Sequence, residues 1–139
     1  MISTLEIRLI AAAATYALRH AVLWPAKPAA YVQLPDDAAG QHFGAFVGGE
    51  LVSVISLFVD GTEARFRKFA TAPAWQGQGI GAALLAHTIA AATAAGATGL
   101  WCDARQTALA FYQRHGMQPE GPVFYKGHIP YQRLRRPLP

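Results

Sequence analysis

Residues 71–87, TAPAWQGQGIGAALLAH, are the most informative stretch of the sequence for predicting the fold. Glycine and glutamine alternate at 76–79, and an apolar helical pattern follows, carried by Ile80, Leu84, Leu85 and Ile89. We predict a helix from Gly77 to Ala95, ended by Gly96. Glycines before a helix leave backbone N–H groups uncovered, and the first helical turn has free donors and a positive dipole end. The pattern is therefore typical of a phosphate site.

Two other interpretations of the glycines are open from the residues alone. One is a glycine-rich turn that simply packs against a neighbour. The other is a dinucleotide site, because 77–82 satisfies G-x-G-x-x-A and Asp103 stands where a ribose-binding acid would be expected. Its context disagrees, since APAWQ separates the glycines from the preceding strand and only 36 residues follow Asp103. A P-loop is excluded because no Gly-Lys-Ser/Thr follows.

Composition indicates one folded domain over residues 1–139. Hydrophobic residues make up 53% of the chain and charged residues 14%, which argues against disorder. The net charge of +4 permits an acidic ligand, but no basic run is long enough to indicate a nucleic-acid partner. The single cysteine, Cys102, lies in an apolar run, so we expect a buried, unreactive thiol.

The apolar stretch LIAAAATYAL at 9–18 is flanked by charged residues, which favours a strand leading into a helix over a secretory signal. No uncharged apolar run reaches the ~18 residues that a membrane span requires. We expect a cytoplasmic protein without a membrane partner.

The order of patterns predicts an α+β fold. Alternation indicates strands at 5–10, 42–47, 51–59 and 63–71, the last three joined by tight turns at Gly48-Gly49 and Asp60-Gly61. Helices are predicted at 11–23, 77–95 and 106–115, a buried strand at 98–104, and two final strands within 117–136. The predicted order is β-α-β-β-β-α-β-α-β-β, with a mixed, mostly antiparallel central sheet flanked by helices.

Two segments together resemble the GNAT superfamily of acetyl-CoA-dependent N-acetyltransferases. QGQGIG at 76–81 matches its Q/R-x-x-G-x-G/A motif. CDARQTALAFYQRHGM at 102–117 is similar to its N-x-x-A-x-x-F-Y-x-x-x-G-F segment, with Ala108, Phe111, Tyr112 and Gly116 at the fixed positions. The resemblance spans nearly the whole chain, including the order of elements.

The resemblance implies direct transfer of an acetyl group from acetyl-CoA to an amine, with no metal. It implies that Tyr112 is the general acid and that Arg105, which replaces the usual asparagine, reaches the cofactor. The remaining implied cofactor-binding residues are the strand residues Phe69, Ala70 and Thr71 and the loop residues Gln76, Gly77, Gln78, Gly79, Ile80 and Gly81.

Several questions stay open from the sequence. Arg65 stands where the family often has a glutamate base, so the base is either Glu63, of the same strand parity, or water. The acceptor is an unidentified small molecule, peptide or protein, and a homodimer is compatible with the resemblance. A non-catalytic acyl-CoA-binding or interaction module on the same fold is the alternative function. Aromatic residues that could line an acceptor pocket, or only pack, are Trp24, Trp75, Tyr125 and Tyr131.

Overall fold

A computed structural model describes residues 4–139, so the first three residues of the predicted domain lie outside the described residues. The helices are α1 (Ala12–Leu18), α2 (Ile80–Ala94) and α3 (Leu109–Gln113). The strands are β1 (Leu5–Ile10), β2 (Gln41–Val47), β3 (Glu50–Asp60), β4 (Glu63–Thr71), β5 (Gly99–Arg105), β6 (Gln118–Pro119), β7 (Phe124–Lys126) and β8 (Ile129–Pro137). They form one sheet in the order β1-β2-β3-β4-β5-β8-β6, with β7 paired to β8.

The strands predicted at 42–47, 51–59 and 63–71 form an antiparallel meander as β2, β3 and β4, and β1 extends it by pairing with β2. The β2–β3 hairpin turns through Gly48 and Gly49, whose φ angles of 56° and 83° are those a two-residue primed turn requires. Helix α2 then crosses over, and β5 runs parallel to β4. The α+β class and the mixed, mostly antiparallel sheet are therefore confirmed.

Helix α2 begins at Ile80 rather than at Gly77. Gly77 and Gly79 hold φ angles of 75° and 83°, which a right-handed helix does not accommodate. At the other end, the backbone N–H of Gly96 donates to the Thr93 carbonyl and that of Ala97 donates to the Ala92 carbonyl. These two hydrogen bonds end the helix in a Schellman motif. The glycines therefore form a loop before the helix and do not extend it.

The predicted helix at 11–23 is divided. Helix α1 ends at Leu18, and Arg19–Leu23 form a single wider π turn. The Arg19 guanidinium is buried and forms paired hydrogen bonds with the Asp37 carboxylate at 2.9 Å, and it also donates to the Ser56 hydroxyl. Arg19, the first residue of this turn, is therefore fully buried, which the apolar periodicity of the segment does not reveal.

The two helical layers lie on opposite faces of the sheet. Ser56 of β3 contacts Arg19, whereas its neighbours Ile55 and Leu57 pack in the core cluster that contains Leu84 and Leu85 of α2. Successive strand residues point to opposite faces, so the first helical segment covers one face and α2 the other.

The predicted strict alternation along 63–71 is wrong at Lys68. Between the pairs Val54–Ala70 and Ser56–Arg67, β4 has two residues where β3 has one. Lys68 lies in this bulge with φ 54°, a positive value unusual for a residue other than glycine. The bulge bends the second half of β4, where the sheet opens.

The C-terminal strands number three rather than the predicted two, because the short β6 also pairs with β8. β7 and β8 form a hairpin around Gly127-His128. Across the described part of the chain, every helix is too short or too polar to traverse a bilayer.

Candidate functional site

A cleft opens between β4 and β5. These parallel strands pair only from Glu63 to Arg65, opposite Gly99 to Trp101. Beyond that point β4 continues along β3 and β5 continues along β8, so the facing edges separate. Backbone N–H and C=O groups on the open edge of β4 are therefore available to an extended ligand.

Two cavities meet in this cleft. A groove of about 570 Å³ runs over the glycine loop and the end of β4. A second cavity, of about 180 Å³, lies between the middle of β4, the second half of β5 and the end of the π turn. Phe69, Ala108 and Tyr112 line both. Two molecules, one bound in each cavity, could thus meet beside Tyr112.

The groove has the geometry of an anion cradle. Gly77, Gly79 and Gly81 line it, and a Cβ atom at Gly77 or Gly79 would meet no other atom within 4 Å. The open space in front of these glycines suits a diphosphate, while a side chain would occupy it. Gly79 caps α2 without any side-chain hydrogen bond, so the first-turn donors of the 15-residue helix stay available.

Side chains hold this loop in place. Gln76 donates through Nε2 to the Thr71 carbonyl at 2.9 Å, and Gln78 donates to the Ala74 carbonyl at 3.3 Å. The backbone N–H of Gln76 already donates to Pro73. The cradle therefore starts at Gly77, and Gln76 contributes by fixing the loop to β4.

Strand and helix residues complete the groove. Phe69, Ala70 and Thr71 line it from β4. Ile80 is buried in the core, so only its backbone can face a ligand. Gln78 is not among the lining residues, and Arg105 lines the smaller cavity instead, where it donates to Tyr131 and to the Leu23 carbonyl.

Tyr112 is held by aromatic neighbours. Its ring lies 5.6 Å from Phe66, 6.3 Å from Phe69 and 5.2 Å from Phe111, measured between ring centroids. Burial raises the pKa of the Tyr112 phenol above its usual value, and the nearby Cys102 thiol raises it further. The hydroxyl consequently stays protonated across the pH range of the cell.

The other candidate residues lie in different parts of the structure. Trp24 and Tyr131 line the smaller cavity and Trp75 lines the groove, whereas Tyr125 is 67% exposed and lines neither. Glu63 lies at the closed end of the strands, in a salt bridge with Arg135. Cys102 is buried as predicted, and burial raises the pKa of its thiol.

Sequence reasoning missed several lining residues. Arg67, Lys68 and Lys126 line the smaller cavity, and Arg114 and His115 line the groove. The last two lie in the turn that follows α3 directly and could have been found from their spacing of three and four residues from Phe111. The lysines could not, because their positions depend on the bulge and on the β7–β8 hairpin.

Comparison with known proteins identifies the family. The model of the acetyltransferase (GNAT) domain matches residues 18–138. The chain is also similar to the uncharacterized N-acetyltransferase YitI of Bacillus subtilis strain 168. The two are 28% identical over 129 residues, which cover 86% of this chain and 87% of that protein.

Solved structures share the fold. A candidate N-acetyltransferase from Lactobacillus plantarum superposes with a TM-score of 0.87 at 23% identity, over 98% of this chain and 99% of that one. A GNAT family acetyltransferase from Elizabethkingia anophelis, solved with acetyl-CoA bound, gives 0.77 at 19% identity, over 96% and 98%. At these identities the likeness establishes the architecture.

Proposed function

The chain belongs to the GNAT acetyltransferase family, and on that basis we propose that it moves the acetyl group of acetyl-CoA directly to the amine of an acceptor. Family membership makes it an N-acetyltransferase that uses acetyl-CoA, which favours this function over the non-catalytic module. The roles of individual residues in the reaction are our own assignments, supported by the contacts and the chemistry of the cleft.

The glycine loop would hold the diphosphate of acetyl-CoA. The free amides of Gly77, Gly79 and Gly81 and the N-terminus of α2 offer donors and a positive dipole end to an anion. The open edge of β4 at Phe69, Ala70 and Thr71 would accept the amide-bearing arm of the same molecule. The thioester is then delivered beside Tyr112, where the groove meets the smaller cavity.

Tyr112 would protonate the departing thiolate. The raised pKa of the phenol keeps its proton in place before the reaction. A thiolate that leaves into the same buried surroundings is also destabilised by desolvation, so its basicity rises along with that of the phenol. Proton transfer between the two therefore stays balanced, as general-acid catalysis requires.

Water is the better candidate for the base. Glu63 is bound to Arg135 at the closed end of the strands, outside both cavities. Asp103 does line the smaller cavity, but its carboxylate is already paired with Arg65 and Arg133. The acceptor amine would therefore lose its proton to water that enters the cavity. The amine attacks the thioester directly in this scheme, and no covalent enzyme intermediate is needed.

The position of Tyr112 between the two cavities carries the proposal. Replacing it by phenylalanine keeps the ring packing and removes only the acid. We expect Tyr112→Phe to lower kcat at least about tenfold while the affinity for acetyl-CoA, measured by calorimetry, changes little. Tyr125→Phe, on the exposed tyrosine of β7, is the matched control. Equal losses in turnover and affinity, or no loss of turnover, would refute the acid role.

A further inference from the structure

Resting on the proposed function, we infer that the acceptor is a small amine that also carries an anionic group, either a carboxylate or a phosphate. This group would bind in the 180 Å³ cavity, on the opposite side of Tyr112 from the glycine loop. The charges, the unpaired lysines and the size of that cavity each support the inference.

The cavity wall is strongly basic. Five basic side chains line it against one carboxylate, that of Asp103. Both oxygens of this carboxylate are engaged, since Oδ1 accepts from Arg133 at 3.0 Å and Oδ2 accepts from Arg65 at 3.3 Å. Asp103 thus has little capacity left to attract a cationic acceptor. The five basic residues are Arg65, Arg67, Lys68, Arg105 and Lys126.

Three of these side chains have no carboxylate partner among residues 4–139, where the salt bridges include only Arg65 and Arg67 of the five. Arg105 is hydrogen-bonded to the Tyr131 hydroxyl and the Leu23 carbonyl, which leaves Lys68 and Lys126 as the side chains without a hydrogen-bonded partner in the part of the chain that the structure describes. Lys68 projects from the β4 bulge, and the Lys126 ammonium lies 4.5 Å from the centre of the Tyr131 ring. The two come from different strands, β4 and β7, and both line the cavity.

The local field also favours an anion. Burial, together with the positive charges of Lys126, Arg67, Arg19 and Arg105, lowers the pKa of Lys68 to about 8. Burial likewise lowers the pKa of Lys126, opposed by Asp103. Burial would penalise an anion as well, but the neighbouring positive charges that contribute to the lowered pKa of Lys68 attract a negative group. An anionic ligand would in turn raise the pKa of both lysines.

The size of the cavity limits the acceptor. Its 180 Å³ holds about six water-sized groups and is smaller than a drug-sized site. The phosphates of acetyl-CoA are not the expected occupant, since Gly77, Gly79 and Gly81 line the other groove. A compact amino acid or aminoalkyl phosphate fits this volume, whereas a polyamine would meet like charges along the wall.

Matched acceptors test the inference. We would measure thiol release from acetyl-CoA with glycine, alanine and leucine, with their carboxamides, with phosphoethanolamine and with 1,4-diaminobutane. We expect kcat/KM for the anionic acceptors to exceed that for the neutral amides by about tenfold or more. The phosphate and carboxylate members tell which anion is preferred. Equal or better turnover of the amides or the diamine would overturn the inference and leave the acetyltransferase function intact.

Lysine variants locate the anion site. Lys68→Gln and Lys126→Gln should each lower kcat/KM for the anionic acceptors more than for the amides, mainly through KM, and so remove most of the preference for anionic acceptors. Lys27→Gln is the control, because Lys27 lines neither cavity. Retention of the preference in both cavity variants would contradict the assignment.

A binding measurement covers the case in which none of these acceptors turns over. Acetate and inorganic phosphate are titrated into the CoA-loaded protein by calorimetry, with and without the Lys68→Gln and Lys126→Gln substitutions. Binding that weakens in both variants supports the anion site, and absent or unchanged binding overturns it. Failure of CoA itself to bind would instead refute the proposed function.

Discussion

Replacing Arg19 by methionine should destabilise the protein far more than the same change at an exposed ion pair. The Arg19–Asp37 pair is buried, with side-chain exposures of 0% and 7% and an N–O distance of 2.9 Å. Methionine fills much of the space but leaves the Asp37 carboxylate buried with the Leu34 amide as its remaining donor. Removing one member of a buried pair costs about 3–5 kcal/mol.

That cost is a large fraction of the ~5–15 kcal/mol that stabilises a folded domain. For a chain of 139 residues it corresponds to a fall in Tm of roughly 10–15 °C. Arg8→Met is the matched control. The Arg8–Glu6 pair has a similar N–O distance of 3.1 Å but exposures of 49% and 64%, so its loss should cost less than about 1 kcal/mol.

The pH dependence separates a lost charge partner from lost packing. Burial alone would raise the pKa of Asp37, but the hydrogen bonds from Arg19 and Leu34 outweigh it and the net pKa is lowered. A carboxyl with a lowered folded pKa stabilises the protein above its ordinary pKa of ~3.9, and this contribution is lost as the pH falls through the folded value.

In Arg19→Met, burial dominates and the Asp37 pKa should rise, so acid relieves the penalty. Urea unfolding at several pH values should therefore show a gap between the two proteins that is widest near neutral pH and narrows on acidification. A loss no larger than that of Arg8→Met, or a gap independent of pH, would refute this account of the pair.

Two further predictions concern the ligand sites. Gly79→Asp should abolish CoA binding measured by calorimetry, because it places bulk and negative charge where the phosphate would lie. The control is Gly81→Ala, whose Cβ atom would lie 3.5 Å from the Phe69 ring and which should retain CoA binding. Binding of CoA by Gly79→Asp would show that the phosphate lies elsewhere. Binding of acetate to the CoA-loaded protein should weaken as the pH rises through about 8, where Lys68 loses its proton. Lys68→Gln should remove this pH dependence. Acetate affinity that does not change with pH in the wild-type protein would argue against Lys68 as the anion partner.

The local signals in the sequence were sufficient for the meander and the glycine loop. Glycine pairs at hairpins and glycines before a helix have conformational requirements that few other residues meet, so their positions alone indicate the backbone. The helix start was misplaced by three residues, because Gly77 and Gly79 serve the loop and not the helix. A count of apolar residues at helical spacing cannot distinguish these two uses.

The buried arginine could not be predicted from local pattern. Arg19 follows an alanine-rich helix and would ordinarily lie at the surface, and its partner Asp37 is 18 residues away within a segment whose composition is typical of a loop. Only the packing of both segments against β3 brings them together with Ser56. The sequence contains each residue, while the pairing is a property of the assembled layers.

The bulge at Lys68 relates the two cavities to each other. By adding one residue to β4, it turns the strand away from β5 and so opens the edge proposed to receive acetyl-CoA. The same residue places an unpaired ammonium on the wall of the cavity proposed for the acceptor. A positive φ at a lysine costs about 1–2 kcal/mol, which glycine at this position would avoid. Lys68→Gly would relieve the backbone strain but remove the ammonium from the proposed anion site. We therefore expect this variant to be at least as stable as the parent protein and to bind acetate more weakly.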